Sequence, residues 1–209
     1  MEIVGRNGEQ VARLAALDID DLQEGAGVRL ATRLDVSRTP VREALHSLAA
    51  HGLVIRSSRT WTVRKLDVRD VREIYEIRCA LECEAARLAA IRRSSAQAHA
   101  IHEANLASRA VLHGAATDFT PASEHVHGLF VRAANNQRLV QEIDRTRLIY
   151  FSRPIAAMYA AEEIEESIAE HEAVARAIDA QDPSAAEAAM RRHIEHALQH
   201  VIQKLAWLG

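Results

Sequence analysis

The chain has 209 residues and a formal net charge of −3, and this length suffices for one or two domains with a buried core. Alanine is abundant, aromatic residues make up 4% of the chain, and glycine and proline are scarce, so the composition favours helices. No apolar run is long enough to cross a bilayer, and no basic-then-apolar signal segment opens the chain. We therefore expect a cytoplasmic protein that has no membrane partner.

The two cysteines, Cys79 and Cys83, lie four residues apart on a predicted helix. Two cysteines at this spacing are able to form a disulfide, but a reducing compartment favours two reduced thiols in the core.

The charged residues are distributed unevenly along the chain. Residues 29–65 carry eight basic side chains against two acidic ones, whereas residues 66–209 carry sixteen against twenty-one. A basic segment on an otherwise acidic chain indicates a local site for a polyanion.

Near the N-terminus, Val11, Leu14 and Leu17 predict a short first helix. The stretch that follows residue 28 predicts two helices joined by a tight turn. Apolar residues recur at helical spacing on both sides of the turn and predict the buried faces: Leu30, Ala31 and Leu34 before it, and Val41, Ala44, Leu45 and Leu48 after it.

The second of these helices carries the residues that suit DNA. Ser37 is placed to cap it, and Pro40 falls in its first turn, where a missing N–H costs nothing. Arg38 and Arg42 stand one turn apart on one face, beside Thr39. Guanidinium groups next to hydroxyls and free backbone amides suit phosphates and guanine edges, so we predict a helix-turn-helix that enters a major groove.

The motif VSRTPVREAL, followed by HGLV, resembles the GntR family of bacterial transcription regulators, whose DNA reader is a winged helix-turn-helix. The resemblance implies a double-stranded DNA operator as partner. Val28 stands where relatives often place a DNA-contacting arginine, and Arg29, about 100° further round the helix, is the candidate to replace it. Arg33 completes the expected basic set.

A β-hairpin wing is predicted after Gly52. Apolar residues 53–55 and the pair Trp61 and Val63 flank a polar turn from Arg56 to Thr60. Relatives usually have a glycine at the tip, where Thr60 stands here. Arg56 and Arg59 are either contacts to phosphates or the minor groove, or solvated loop charges, and the sequence does not choose between these.

The rest of the chain predicts helices. After a linker at 66–68, apolar residues keep a helical period from Val71 to Leu88, and further helices are predicted at 94–112, 121–134, 137–159, 164–180 and 183–208. Thr120 and Asp182 each precede a proline and read as helix caps, and Pro154 should kink or break its helix. The predicted fold is mainly α: a winged helix-turn-helix domain with a small β-hairpin (1–65), then an antiparallel all-α bundle (69–209).

This second half resembles the FadR subfamily, whose C-terminal helical domain, called FCD, binds effectors. The runs VREIYEIRCALECEAARLAA, HGLFVRAANNQRL and HEAVARAIDAQDPSAAEAAMRRHI carry the resemblance. It places His127, His171 and His193 at metal-binding positions, which implies a divalent transition metal such as zinc or nickel. The usual aspartate is replaced by Ser123, a poor ligand, and Glu124 is the alternative source of a carboxylate.

Arg78 and Glu82 match the subfamily's R-x-x-x-E. Arg78 is then a candidate clamp for an anionic effector, and the competing interpretation is an ordinary surface ion pair. His196 and His200 continue the face of His193 and either line the pocket mouth or are solvated.

Three functions remain open at this point. The leading one is a regulator that binds a near-palindromic operator as a homodimer and responds to a small organic acid, in part through a metal. The alternatives are a metal-dependent enzyme with a three-histidine site, in which Glu124 or Glu170 would be the general base, and a DNA-binding module whose bundle only dimerises. The sequence contains no HExxH motif that would support the enzyme, so we do not expect enzymatic activity.

Overall fold

The computed structural model describes residues 26–33, 35–50, 54–57, 60–64, 67–110, 112, 116–147 and 159–208. The chain divides into two compact units, the first made of residues 1–66 with 145–150 and the second of residues 67–144 with 151–209. The predicted mainly α architecture with one small hairpin is confirmed. None of the described helices has the length and apolar character needed to cross a bilayer. The predicted helix around Val11–Leu17 lies outside the described residues.

The first unit contains a helix-turn-helix followed by a hairpin, with elements α1 (Ala26–Arg33), α2 (Arg38–Ala50), β1 (Val54–Ser57) and β2 (Thr60–Val63). The chain turns between the helices at Asp35, whose φ of 52° lies in the left-handed region that aspartate tolerates better than most residues. The Val36 N–H donates to the Ala31 carbonyl at 3.0 Å, which closes the end of α1.

One apolar cluster holds this unit together. Its buried members are the predicted core residues that the structure describes, together with one strand residue: Leu30, Ala31, Val41, Ala44, Leu45, Leu48 and Val54. Trp61 of β2 packs against this cluster and meets the ring of His46 edge to face at 5.2 Å. The wing is therefore fixed to α2 by an aromatic contact.

The hairpin is tighter than the sequence predicts. Val54 pairs with Val63 and Ser57 pairs with Thr60, so only residues 58–59 connect the strands. Thr60 is thus a strand residue whose hydroxyl donates to the Ser57 carbonyl at 2.8 Å. The predicted turn from Arg56 to Thr60 was too wide because cross-strand pairing extends to its polar ends.

The second unit is a helical bundle. Its helices are α3 (Val68–Arg92), α4 (Ser95–Ala110), α5 (Ala116–Ala133), α6 (Gln137–Arg147), α7 (Ala161–Asp179) and α8 (Pro183–Leu208). The last three residues of α6, 145–147, are assigned to the first unit. Helix α3 packs against α5, α7 and α8, while α4 packs against α5 and α7. Asp67 caps α3 by accepting the Asp70 N–H at 2.8 Å, so the end of the predicted linker belongs to the helix terminus.

Two neighbouring arginines show how the helices run. Arg92 donates to the Ala134 carbonyl just beyond α5, and Arg93 donates to the Asp179 carbonyl at the end of α7, at 2.6 Å. The C-terminal ends of α3, α5 and α7 therefore meet, and α4 and α8 start at that end and run in the opposite direction. Cations beside C-terminal carbonyls are favourable for the helix dipoles. The bundle is antiparallel, as predicted.

Several predicted helix limits change. Helix α5 begins at Ala116, so Pro121 lies inside it and the predicted cap at Thr120 is wrong. Burial of Phe119 against Ile164 and Ile168 favours the extra turn, at the cost of the one backbone hydrogen bond that a proline cannot donate. The cap at Asp182 is confirmed, since its carboxylate accepts the Ala185 N–H at 3.0 Å. Pro154 lies outside the described residues.

Candidate metal centre and DNA-binding surface

Three buried histidines meet inside the second unit. His127 comes from α5, His171 from α7 and His193 from α8, and none of them is more than 3% exposed. Their Nε2 atoms form a triangle with sides of 3.0, 3.1 and 3.2 Å. The structure thus brings together the three side chains that the sequence places on separate helices.

Two carboxylates orient the imidazole rings. Nδ1 of His127 lies 2.6 Å from Glu82 Oε2, and Nδ1 of His193 lies 2.8 Å from Glu170 Oε2. Because an ionised carboxylate only accepts hydrogen bonds, Nδ1 of each ring carries the proton and Nε2 keeps its lone pair. A carboxylate behind each ligating imidazole is a recurring feature of metal sites, since it fixes the tautomer and makes the ligand more basic.

Burial keeps the rings of His171 and His193 neutral. It lowers the pKa of His171 and of His193 well below the ordinary value, and the neighbouring histidines and Arg78 lower both further. Nδ1 of His171 has no hydrogen-bond partner within the described part of the chain. Without an ion, lone pairs on all three Nε2 atoms would repel one another. His171 must therefore keep its proton on Nε2, which leaves its Nδ1 an unpaired buried acceptor.

A dication removes the repulsion among the three Nε2 lone pairs, because it accepts all of them, and the proton of His171 then lies on Nδ1. Zinc–nitrogen bonds of about 2.0–2.1 Å place ligand nitrogens roughly 3.3 Å apart in a tetrahedron and roughly 2.9 Å apart in an octahedron. The observed separations of 3.0–3.2 Å fall between these values. The donor set therefore fits a divalent transition metal with further coordination positions left open.

Among the His, Cys, Asp and Glu side chains that the structure describes, only the three histidines converge at this centre. Glu124 is exposed and lies outside this group, and Ser123, at the position of the usual aspartate, is half-buried. Sequence reasoning missed Glu82 as the partner of His127. Its signal was the R-x-x-x-E motif, which indicated Arg78 as a partner but not a histidine 45 residues away.

Arg78 and Glu82 form a buried pair, so the surface-pair interpretation is wrong. Their exposed fractions are 7% and 1%, and Arg78 Nε donates to Glu82 Oε1 at 2.8 Å. The guanidinium carbon lies 5.2 Å from the centre of the Tyr75 ring, and burial raises the pKa of Tyr75. A continuous polar chain thus runs from Tyr75 through Arg78 and Glu82 to His127.

The two undecided histidines face α7 from α8. His196 Nδ1 hydrogen-bonds to Glu170, and His200 Nδ1 lies 2.9 Å from Glu163 Oε1. Burial raises the pKa of Glu170, an effect that His196 partly offsets. Glu170 is a second partner that sequence reasoning missed in this role.

In the first unit, the predicted DNA-binding residues that the structure describes are all exposed: Arg29, Arg33, Ser37, Arg38, Thr39, Arg42 and Arg56. Arg38 begins α2, and Val41 and Leu45 of the same helix point into the core. The guanidinium carbon of Arg56 lies 5.6 Å from the centre of the Trp61 ring. Arg59 lies outside the described residues.

Comparison with known proteins identifies both units. Residues 25–63 match the family described as bacterial regulatory proteins, gntR family, and residues 73–196 match the FCD domain. The chain belongs to the GntR family. The predicted resemblance is confirmed, and the FCD match is consistent with the FadR subfamily.

Relatives along most of the chain are transcription regulators. A probable D-xylose utilization operon transcriptional repressor of Paenarthrobacter nicotinovorans is 34% identical over 81% of this chain and 76% of its own. The HTH-type transcriptional repressor RspR of Escherichia coli (strain K12) is 30% identical over 93% of this chain and 89% of its own. The regulatory function and the absence of an enzymatic role are thereby confirmed.

Solved structures share the fold. E. coli McbR/YncC aligns with a TM-score of 0.80 at 19% identity, covering 96% of this chain and 97% of that one. A putative GntR regulator from Rhodococcus sp. RHA1 aligns with a TM-score of 0.70 at 22% identity, covering 95% and 98%. This GntR regulator therefore has the architecture of its family, a winged-helix unit followed by a helical bundle.

Proposed function

We propose that this GntR-family regulator responds to a small organic acid through a divalent transition metal, zinc or nickel, held by His127, His171 and His193. The observation that carries the proposal is the convergence of three buried Nε2 atoms within 3.2 Å of one another. The carboxylates behind His127 and His193 support it, because they leave both Nε2 lone pairs facing the centre.

The charge of the centre favours an anionic effector. The three imidazoles bonded to the dication would be neutral, and Ser123 supplies none of the charge of the aspartate that relatives have there, so the only negative charge comes from Glu82 and Glu170 behind the rings. A carboxylate that enters an open coordination position supplies the missing negative ligand. Effector and metal should therefore bind cooperatively, with Arg78 as the second contact for the anion.

The DNA-binding unit supplies the output. One helix-turn-helix contacts one half-site, so we infer that a homodimer binds a near-palindromic operator through α2, with Arg38 and Arg42 in the major groove. The effector changes operator affinity only if it binds the DNA-competent dimer and the alternative dimer with different affinities. A regulator of chromosomal operators works in the cytoplasm of a bacterium.

Operator binding in the presence and absence of metal tests this function. A DNA site is first selected by the full-length protein from a random-sequence pool, and its affinity is then measured by fluorescence anisotropy with zinc or with a chelator, across a panel of mono-, di- and hydroxycarboxylic acids. We expect at least one acid to change operator affinity with zinc and to lose that effect with chelator. Sedimentation should give two chains per DNA site.

An effect of the acids that is unchanged by chelator would contradict the role of the metal. If no acid or metal alters binding and the dimer persists, the bundle only dimerises, and the alternative of a module without a sensor is correct.

A further inference from the structure

A second row of metal-type ligands continues outward from the buried histidines. Helix α7 carries Glu163, Glu166 and Glu170, and α8 carries His193, His196 and His200, so both helices repeat their ligands at i, i+3 and i+7. This spacing puts each set along one helix face. Because α7 and α8 pack against each other, the carboxylate row and the imidazole row face across one contact.

The contacts between the rows connect the surface to the buried centre. Glu170 Oε2 accepts from His193, and Glu170 Oε1 hydrogen-bonds to Nδ1 of His196. Glu166 Oε1 lies 3.7 Å from that same Nδ1, and Glu166 Oε2 lies 3.6 Å from His200 Nε2. One ligand atom from each of Glu166, Glu170 and His196 lies within 4.8 Å of the other two.

These three residues differ from the buried triad in access and charge. The side chains of Glu166 and His196 are 51% and 43% exposed, so an ion reaches them directly from solvent and takes the place of the hydrogen bond between His196 and Glu170. Two carboxylates at i and i+4 on one helix repel each other, and a cation between them offsets that repulsion. Two carboxylate oxygens and one imidazole nitrogen form a ligand set that suits zinc and related dications, with water completing the coordination.

We propose that Glu166, Glu170 and His196 form a second, solvent-accessible divalent metal site that shares Glu170 with the buried centre. The two oxygens of Glu170 make separate contacts: Oε2 accepts a hydrogen bond from His193, and Oε1 faces the outer site. An outer ion therefore binds without breaking the Glu170–His193 hydrogen bond. The outer site is weaker than the buried one, because its ligands are half-exposed and water competes for the ion. The proposal of an outer site does not depend on whether the buried centre acts as a sensor.

Metal stoichiometry of the full-length protein tests this site. Equilibrium dialysis against zinc, and separately against cobalt with its visible absorption recorded, should give two ions per chain for the wild type, one tight and one weaker. The double variant Glu166→Gln with His196→Ala should lose the weaker ion and keep the tight one. His127→Ala should lose the tight ion and keep the weaker one, so the two sites are separable.

Matched controls are Glu165→Gln, next to Glu166 and exposed, and His125→Ala, exposed on α5, and both should bind as the wild type does. Thermal unfolding checks that every variant is folded. The proposal is overturned if the double variant binds as many ions, and as tightly, as the wild type. A double variant that is less stable but unchanged in metal content would show that the two rows form only an ion-pair ladder.

Discussion

Glu82 Oε2 lies 2.6 Å from Nδ1 of His127, and both side chains are almost completely buried. The other oxygen of the same carboxylate accepts from Arg78 at 2.8 Å. One glutamate therefore joins the candidate anion contact on α3 to a candidate metal ligand on α5. The two candidate contacts therefore share one buried carboxylate.

Replacing Glu82 by glutamine should weaken zinc binding. The amide cannot supply the charge that makes His127 a strong donor, and loss of such a partner typically costs about 10–100-fold in metal affinity. Glu84→Gln is the control, since Glu84 lies on the same helix and pairs with Arg87 near the surface. Competition with a chelating dye measures both variants. Equal zinc affinity in Glu82→Gln and wild type would show that the carboxylate does not support the ligand.

Arg78→Lys separates the anion contact from the metal. Lysine keeps the positive charge beside Glu82 but loses the planar pair of donors that matches a carboxylate. We expect affinity for an acid effector to fall about tenfold or more, as for the loss of a charge-assisted hydrogen bond, while zinc binding changes little. The measurement is effector titration of the zinc-loaded variant. An unchanged effector affinity would exclude Arg78 from the effector site.

Arg38→Ala and Arg42→Ala should each weaken operator binding by about 1–3 kcal/mol if these side chains contact base edges. Operator affinity should also fall steeply with salt, because bound phosphates release counterions. Arg69→Ala is a control with the same charge change, on the exposed face of α3. Gel shifts at two salt concentrations give both quantities. If both variants bind like the control, α2 is not the reading helix.

Cys83 should be unreactive in the folded protein. Burial raises its pKa to about 12, with a further contribution from Cys79, whose sulfur lies 3.7 Å away. An ordinary thiol ionises near about 8.5, so raising the pH from about 7 to 9 activates Cys83 only in the unfolded chain. Mass spectrometry after brief alkylation at pH 9 should find Cys83 unmodified in native protein and fully modified in denaturant. Rapid labelling of native protein would contradict its burial.

Local patterns were sufficient for the helix-turn-helix of the first unit. The helical spacing of Leu30, Val41 and Leu45 predicts faces that are indeed buried, because a short helix has few ways to hide its apolar side. The same reasoning misplaced the start of α5, since the burial of Phe119 against α7 is a tertiary contact that overrides a proline signal.

The buried centre shows the same division. The family motifs led to His127, His171 and His193, but the roles of Glu82 and Glu170 depend on helix packing that brings side chains 45 and 23 residues apart together. Whether a side chain is exposed also depends on tertiary packing. Arg78 and Glu82 at i and i+4 give the sequence pattern of a surface pair, and only the packing of α3 inside the bundle buries them.

Zinc titration of the three histidines tests the central claim most directly. With a chelating dye as competitor to isolate the tight ion, the wild type should bind one such ion, and His171→Ala and His193→Ala should each lose it while still binding operator DNA. Ser123→Asp should bind zinc more tightly than the wild type and depend less on an acid effector, because it restores the missing negative ligand. His125→Ala, exposed on α5, should bind zinc as the wild type does. Wild-type protein with no tight zinc, or with a tight zinc that survives in both histidine variants, would contradict the account.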